Sequence, residues 1–340
     1  MQQQFGCVRL LKRTLFCLLI TLLQMASSTV SFPRHLLDLS SYSSGAIQQI
    51  LTRSITYKQA LDRSQPIDQT LKERTVATLF FEPSTRTKLS FQQAIQYLGG
   101  RHLGFSAKGS SVSKGESLKD TAQTLQALHA DMFVVRHAAP GAAQYLTTCT
   151  DAVVINAGDG AHAHPTQALL DLCTLATVYP DIAALHVAII GDILHSRVAR
   201  SVIRGLRTLG ASVTVCGPPP LVPAALVSMG VRVTHALDEA LQQCDVAMAL
   251  RIQQERQDGG AVSSLGAYHA QFGITMEHMK RYPDLRIMHP GPVNRGVELA
   301  AAVADHERTL IRDQVANGIP TRMAVLDVLA HNRTSRQRWA

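Results

Sequence analysis

The chain has 340 residues, 46% of them hydrophobic and 17% charged, a globular composition that predicts two domains of roughly 150 residues each. Its formal net charge of +8 is a property of the ends, because Arg9, Lys12, Arg13 and Arg34 precede the first acid, Asp38, and Arg333, Arg336 and Arg338 close the chain, which leaves +1 for the body. With no basic stripe carrying interleaved aromatics, nucleic-acid binding is excluded as the main role.

The first thirty residues follow a charged start with an apolar run from Leu15 to Met25 and the small residues Ala26, Ser27 and Ser28. That is the layout of a secretory signal, too short to span a bilayer comfortably. A start codon set too far upstream and an added contact segment fit equally well, so residues 1–31 are set apart as a leader or extension. The cysteines Cys7, Cys17, Cys149, Cys173, Cys216 and Cys244 show no zinc spacing and lie far apart, as reduced cytosolic thiols would.

From His35 to about Ala60 apolar residues such as Ile47, Ile50 and Leu51 recur at helical spacing. Strands and helices then alternate. Strands are expected at Val76–Phe81, His102–Phe105, Met132–Val135 and Ala152–Asn156, with helices up to Leu98 and over Ser117–Leu128. After a helix over Pro165–Val178, further strands are expected at Val187–Ile190, Ser212–Cys216, Arg232–Thr234, Val246–Leu250 and Arg286–His289. Strands joined by crossover helices predict an α/β fold of two doubly wound parallel-sheet domains, with the active site in the cleft between them. The expected bounds are 32–165 for the first domain, 166–315 for the second, and 316–340 for a C-terminal helix returning to the first domain plus a basic tail.

Ligands of such sheets sit beyond the carboxyl ends of the strands, and polar or turn residues fall there six times. Phe80-Phe81-Glu82-Pro83-Ser84-Thr85-Arg86-Thr87 reads as strand, turn and helix start. Its hydroxyls, the first-turn N–H groups and the Arg86 guanidinium suit a phosphate, although an ordinary helix cap beside a solvated arginine has the same spelling. The other five ends carry Arg136, Asn156 to Asp159, Gly191-Asp192 with Arg197, Arg251, and His289 to Pro292. In His164-Pro165-Thr166-Gln167, His164 could donate to a carbonyl oxygen and Gln167 could bond an amide. His162 and His164 could instead be part of a metal site, but no third ligand has usable spacing. Ser110 to Ser117 is a polar loop: either a solvated connection or a lid that brings a lysine and a serine to an anion. Arg197 and Arg251 suit carboxylates through the guanidinium fork, or pair with surface acids. The Gly191 turn lacks Gly-x-Gly-x-x-Gly, which argues against a dinucleotide. No nucleophile elbow, glycosidase carboxylate pair or Walker loop is present, leaving positioning and electrostatics as the mode of catalysis.

Taken with Ser113-Lys114-Gly115-Glu116-Ser117 and His289-Pro290-Gly291-Pro292-Val293-Asn294-Arg295-Gly296, these motifs resemble the transcarbamylase family from about Phe32 to Ala330, and within it the aspartate-specific catalytic chains. The resemblance implies transfer of a carbamoyl group from carbamoyl phosphate to L-aspartate, giving N-carbamoyl-L-aspartate and phosphate early in pyrimidine synthesis, in the cytoplasm. It implies phosphate contacts from Ser84, Thr85, Arg86 and Thr87, polarisation of the carbamoyl oxygen by Thr87, Arg136 and His164, and amide contacts from Gln167 and the backbone at Gly291 and Pro292. Arg197, Arg251 and Gln253 would take the aspartate carboxylates. Lys114 and Ser110 would reach into a neighbouring subunit's site, which implies a homotrimer. No metal or organic cofactor is implied, nor a membrane; a regulatory chain or a dihydroorotase is a partner the resemblance leaves open. Some relatives carry leucine where Gly291 stands. The ornithine enzymes' His-Cys-Leu-Pro is absent, and two guanidiniums do not suit a cationic acceptor.

Overall fold

A computed structural model of the chain describes residues 30–106, 115–253 and 264–331. Most of the leader, Ser110 and Lys114, and the arginine-rich tail lie outside the described residues. From Pro33 onward the chain forms one compact unit. Its first half runs α1 (Ser44–Asp62), β1 (Thr75–Phe80), α2 (Thr85–Tyr97), β2 (Arg101–Ser106), α3 (Leu118–Ala127), β3 (Met132–His137), α4 (Ala142–Leu146) and β4 (Val153–Asp159). After α5 (Pro165–Val178) come β5 (His186–Ile190), α6 (Arg197–Thr208), β6 (Ser212–Cys216), β7 (Arg232–Thr234), α7 (Leu237–Leu241), β8 (Val246–Ala249), α8 (Leu265–Phe272), α9 (Met276–Arg281) and β9 (Arg286–Met288). Three helices follow: α10 (Ala301–Ala304), α11 (Ile311–Ala316) and α12 (Gly318–His331).

The strands build two parallel sheets, ordered β2-β1-β3-β4 and β7-β6-β5-β8-β9. Every residue of β1 and β4 is buried, as expected of strands covered on both faces. Leu79, Phe133, Val135 and Val154 belong to a core on the first sheet, and Ile190, Ala247, Tyr268 and Ile287 to a core on the second. Strand order reverses between β1 and β3 and again between β5 and β8. At such reversals the connecting segments diverge and leave a crevice at the carboxyl ends.

Helix α5 joins the halves. Ten of its fourteen residues are buried, because it packs against α6 on one side and against α1, α12 and β4 on others; a helix apolar on most faces is one enclosed by neighbours. Helix α12 packs on α1, α2 and α5, so the end of the described chain returns to elements of the first half.

The first segment differs from its sequence reading. The helix begins at Ser44, not near His35, because the Ser43 hydroxyl accepts the Ala46 N–H and caps it. Ahead of the cap, Asp38 takes the Ser40 N–H at 2.7 Å in a tight turn, and Leu36 pairs with Ile155 at the free edge of β4. Strand β4 also runs on past its expected end at Asn156 through Ala157 to Asp159.

Candidate active site

A cleft of about 940 Å3 lies where both reversals face each other. Its walls include Glu82 to Thr87 after β1, Arg136 on β3, His164 and Gln167 at the start of α5, Ser196 and Arg197 after β5, Arg251 and Gln253 after β8, and His289 to Pro292 after β9. Thus residues expected from five separate strand ends and one helix start share one cavity. The sixth end does not join them. Asn156 bonds Leu37 and Asp159, and Asp159 takes the Gly141 N–H and the His162 ring, so these side chains hold loops together. His162 therefore turns to Asp159 while its sequence neighbour His164 lines the cleft.

On the first wall Ser84 is the N-cap of α2 in extended conformation, yet its hydroxyl makes no capping hydrogen bond. The alternative of an ordinary helix cap therefore does not hold for Ser84: the hydroxyl does not close the helix end, and α2 presents its first turn, with the positive end of its dipole, to the cleft. Thr87 is buried, whereas Thr85 and Arg86 are exposed. The Arg86 guanidinium crosses to the second wall and lies on Gly291. Residue 291 has φ at +67°, and a Cβ there would meet the end of the Arg86 side chain, so any residue but glycine strains the backbone and displaces that guanidinium.

At the floor, His164 is the N-cap of α5, 4% exposed, with its backbone N–H donating to Ser201 Oγ at 2.8 Å. Burial, with Arg136, Arg197 and Arg322 close by, holds its pKa well below 6.5. Protonation would add a fourth cation to a desolvated site, so the imidazole is neutral and acts as a hydrogen-bonding group. Gln167 donates to Asp171 Oδ1 at 3.0 Å.

On the second wall Arg197 is 6% exposed and both its terminal nitrogens lie 2.9 Å from Glu82 Oε2. Arg136 Nε approaches the same oxygen at 3.6 Å. Gly158, at φ +118°, fits between these two cations, where a Cβ would come within 3.1 Å of Arg197 and 3.2 Å of Arg136. The surface ion pair considered from spacing is thus corrected: Arg197 is buried, and its carboxylate partner comes from the opposite wall. Gln253 donates to the His195 carbonyl at 3.3 Å, and Asp192 holds the His195 ring and N–H, which shapes the β5 turn from behind. Arg251 is half-buried at the cleft edge.

Sequence reasoning missed several wall residues. Glu82 sits inside the phosphate motif but had been assigned no role. Gln314 and Arg322 come from the last two helices. Arg322 is 3% exposed and lies over the Phe91 ring at 5.2 Å; burial lowers its pKa to about 10, still a cation at neutral pH. Neither stood out in the sequence: Gln314 follows Arg312 and Asp313 in a polar run, and Arg322 has the polar neighbour Thr321.

The comparisons with known proteins agree with this geometry. Residues 34–177 match the family pattern described as aspartate/ornithine carbamoyltransferase, carbamoyl-P binding domain, and residues 183–329 match its Asp/Orn binding domain. An aspartate carbamoyltransferase catalytic subunit from Desulforudis audaxviator is 46% identical over 301 residues, covering 88% of this chain and 98% of that protein. Aspartate transcarbamoylase from Trypanosoma cruzi, solved with N-(phosphonacetyl)-L-aspartic acid, superposes with a TM-score of 0.78 at 31% identity over 86% of this chain and 94% of that one. An ornithine carbamoyltransferase from Pyrococcus furiosus superposes with a TM-score of 0.77 at 28% identity, covering 86% and 96%, so the backbone alone does not separate the two acceptors. With both domain patterns matched in order and the cleft formed between them, the chain belongs to the aspartate/ornithine carbamoyltransferase family.

Proposed function

We propose that the chain transfers the carbamoyl group of carbamoyl phosphate to the amine of L-aspartate, releasing N-carbamoyl-L-aspartate and phosphate. The observation that carries this reading is the neutral, buried His164 between a phosphate-suited helix start and the Arg197 guanidinium. In the proposed complex Ser84, Thr85, Arg86 and Thr87 hold the phosphate, where hydroxyls, N–H groups and a guanidinium fork converge. Thr87, Arg136 and His164 polarise the carbamoyl oxygen. Gln167 and the backbone at Gly291 and Pro292 take the amide, and Arg197, Arg251 and Gln253 take the aspartate carboxylates.

The chemistry follows from where charge develops. As the aspartate amine attacks the carbamoyl carbon, negative charge grows on the carbamoyl oxygen, and donors fixed beforehand stabilise it without reorganising. The tetrahedral adduct collapses by breaking the C–O bond to phosphate. Phosphate takes the amine proton as it leaves, so the site needs no separate base. Glu82 sits on the fork intended for a carboxylate; in the complex it shares Arg197 with the acceptor or yields to it.

The two guanidiniums favour a dicarboxylic acceptor over ornithine, whose side chain is cationic. Purified protein supplied with carbamoyl phosphate should form product with aspartate and none with ornithine; product with ornithine alone overturns the assignment. The same reading assigns the protein to the cytoplasm as a homotrimer in which Ser110 and Lys114 serve a neighbour's site. A native mass of one chain, with full activity at that mass, contradicts the shared site.

A further inference from the structure

Two glutamines of the cleft wall reach back to the buried Asp171, and one backbone group orders the set. The His289 N–H can only donate, and it does so to Gln314 Oε1 at 2.9 Å. That fixes Gln314 with its Nε2 toward Asp171, where it donates to Oδ1 at 2.7 Å. The same Oδ1 accepts Gln167 Nε2 at 3.0 Å. With one of its two Nε2 hydrogens held by Asp171, Gln167 has its amide orientation set and keeps its carbonyl oxygen as the acceptor it can offer a ligand in the cleft it lines.

We propose that Asp171 is a positioning residue that holds Gln167 carbonyl-first and so makes the donor site select a carbamoyl –NH2 over an acetyl –CH3. The inference rests on the proposed function and goes beyond it, since it assigns the selectivity to a residue that touches no substrate. Carbamoyl and acetyl phosphates have nearly the same shape, so shape cannot separate them. A fixed acceptor can, because a methyl group leaves it unpaired. Asp171 is fully buried, and burial raises its pKa to about 7. Its other oxygen, Oδ2, is buried with no hydrogen-bond partner among the described residues and can carry the proton while Oδ1 keeps accepting. Asparagine would present the same acceptor.

The test compares KM for carbamoyl phosphate with the inhibition constant of acetyl phosphate as its competitor, in the native full-length enzyme. Asp171→Ala should raise KM for carbamoyl phosphate roughly tenfold, the worth of one neutral hydrogen bond, and leave the acetyl phosphate constant within about twofold. Asp171→Asn should change neither. If Asp171→Ala does not fold, Asp171→Ser, whose hydroxyl is too short to reach Gln167, carries the same comparison. Equal weakening of both ligands, or loss of selectivity in Asp171→Asn, overturns the proposal. A wild-type enzyme that forms no carbamoylaspartate overturns the functional reading instead, and that result is seen before any variant is made.

Discussion

Glu82 and Arg197 are 115 residues apart in the chain, yet both terminal nitrogens of Arg197 lie 2.9 Å from one oxygen of Glu82. The pair joins the turn after β1 to the start of α6, so it spans the two walls of the cleft. It also lowers the cost of placing Arg136 and Arg197 side by side in a desolvated site. Glu82→Gln keeps an acceptor but removes the charge. Hydrogen bonds to charged groups are worth about 1.5–3 kcal/mol, so kcat/KM for aspartate should fall roughly ten- to a hundredfold. An unchanged value would show that the pair does not position Arg197.

His164 is held neutral by burial and by three arginines. Its proton affinity is lowered in the folded state, so it should contribute no inflection near pH 6.5 to the profile of kcat/KM. Replacing it with alanine removes one aimed donor, a loss of roughly 10²- to 10³-fold in kcat for comparable sites. Turnover that survives His164→Ala intact would remove the residue from the mechanism.

Gly291→Ala places a Cβ where the Arg86 guanidinium lies. The left-handed backbone there costs an L-residue about 1–2 kcal/mol, and the displaced guanidinium should raise KM for carbamoyl phosphate more than it lowers kcat. Steady-state kinetics beside a denaturant titration separate the two effects; an unaltered KM would mean that Arg86 can bind phosphate from another rotamer.

Asp171 predicts a pH dependence of stability. Its pKa rises from 3.8 to about 7 on folding, through burial. Between those values the folded chain holds a proton that the unfolded chain has released, so stability falls as pH rises from about 4 to about 7. Asp171→Asn cannot lose that proton. The variant should gain on the wild type across this window by up to ~4 kcal/mol, read from denaturant midpoints at pH 4 and pH 8. A constant difference would contradict the buried, proton-bearing state.

The strands were legible because β1, β3, β4, β5 and β8 each contain a short apolar stretch bounded by polar or turn residues, a pattern that a fully covered parallel sheet imposes on its sequence. Ser84 to Thr87 and His164 were legible because a phosphate cradle and a helix start need particular residue types at fixed local spacing. Glu82, Asp171, Gln314 and Arg322 were not, since each owes its place to a partner far along the chain: Arg197 to Glu82, and Gln314 to Asp171 over 143 residues. The Asn156–Asp159 end looked like a site because structural and catalytic polar residues share the same composition. Leu36 was read as helical because one strand residue pairing with a sheet edge leaves no periodic signal.

The central claim is that a phosphate cradle on one wall faces guanidinium forks on the other. A crystal structure of this protein with N-(phosphonacetyl)-L-aspartate tests it most directly, because that molecule joins both substrates in one frame. The phosphonate should lie on Ser84 to Thr87 at the start of α2, with the two carboxylates on Arg197 and Arg251. A phosphonate bound at Arg197 and Arg251, or a ligand bound outside the cleft, would contradict the account.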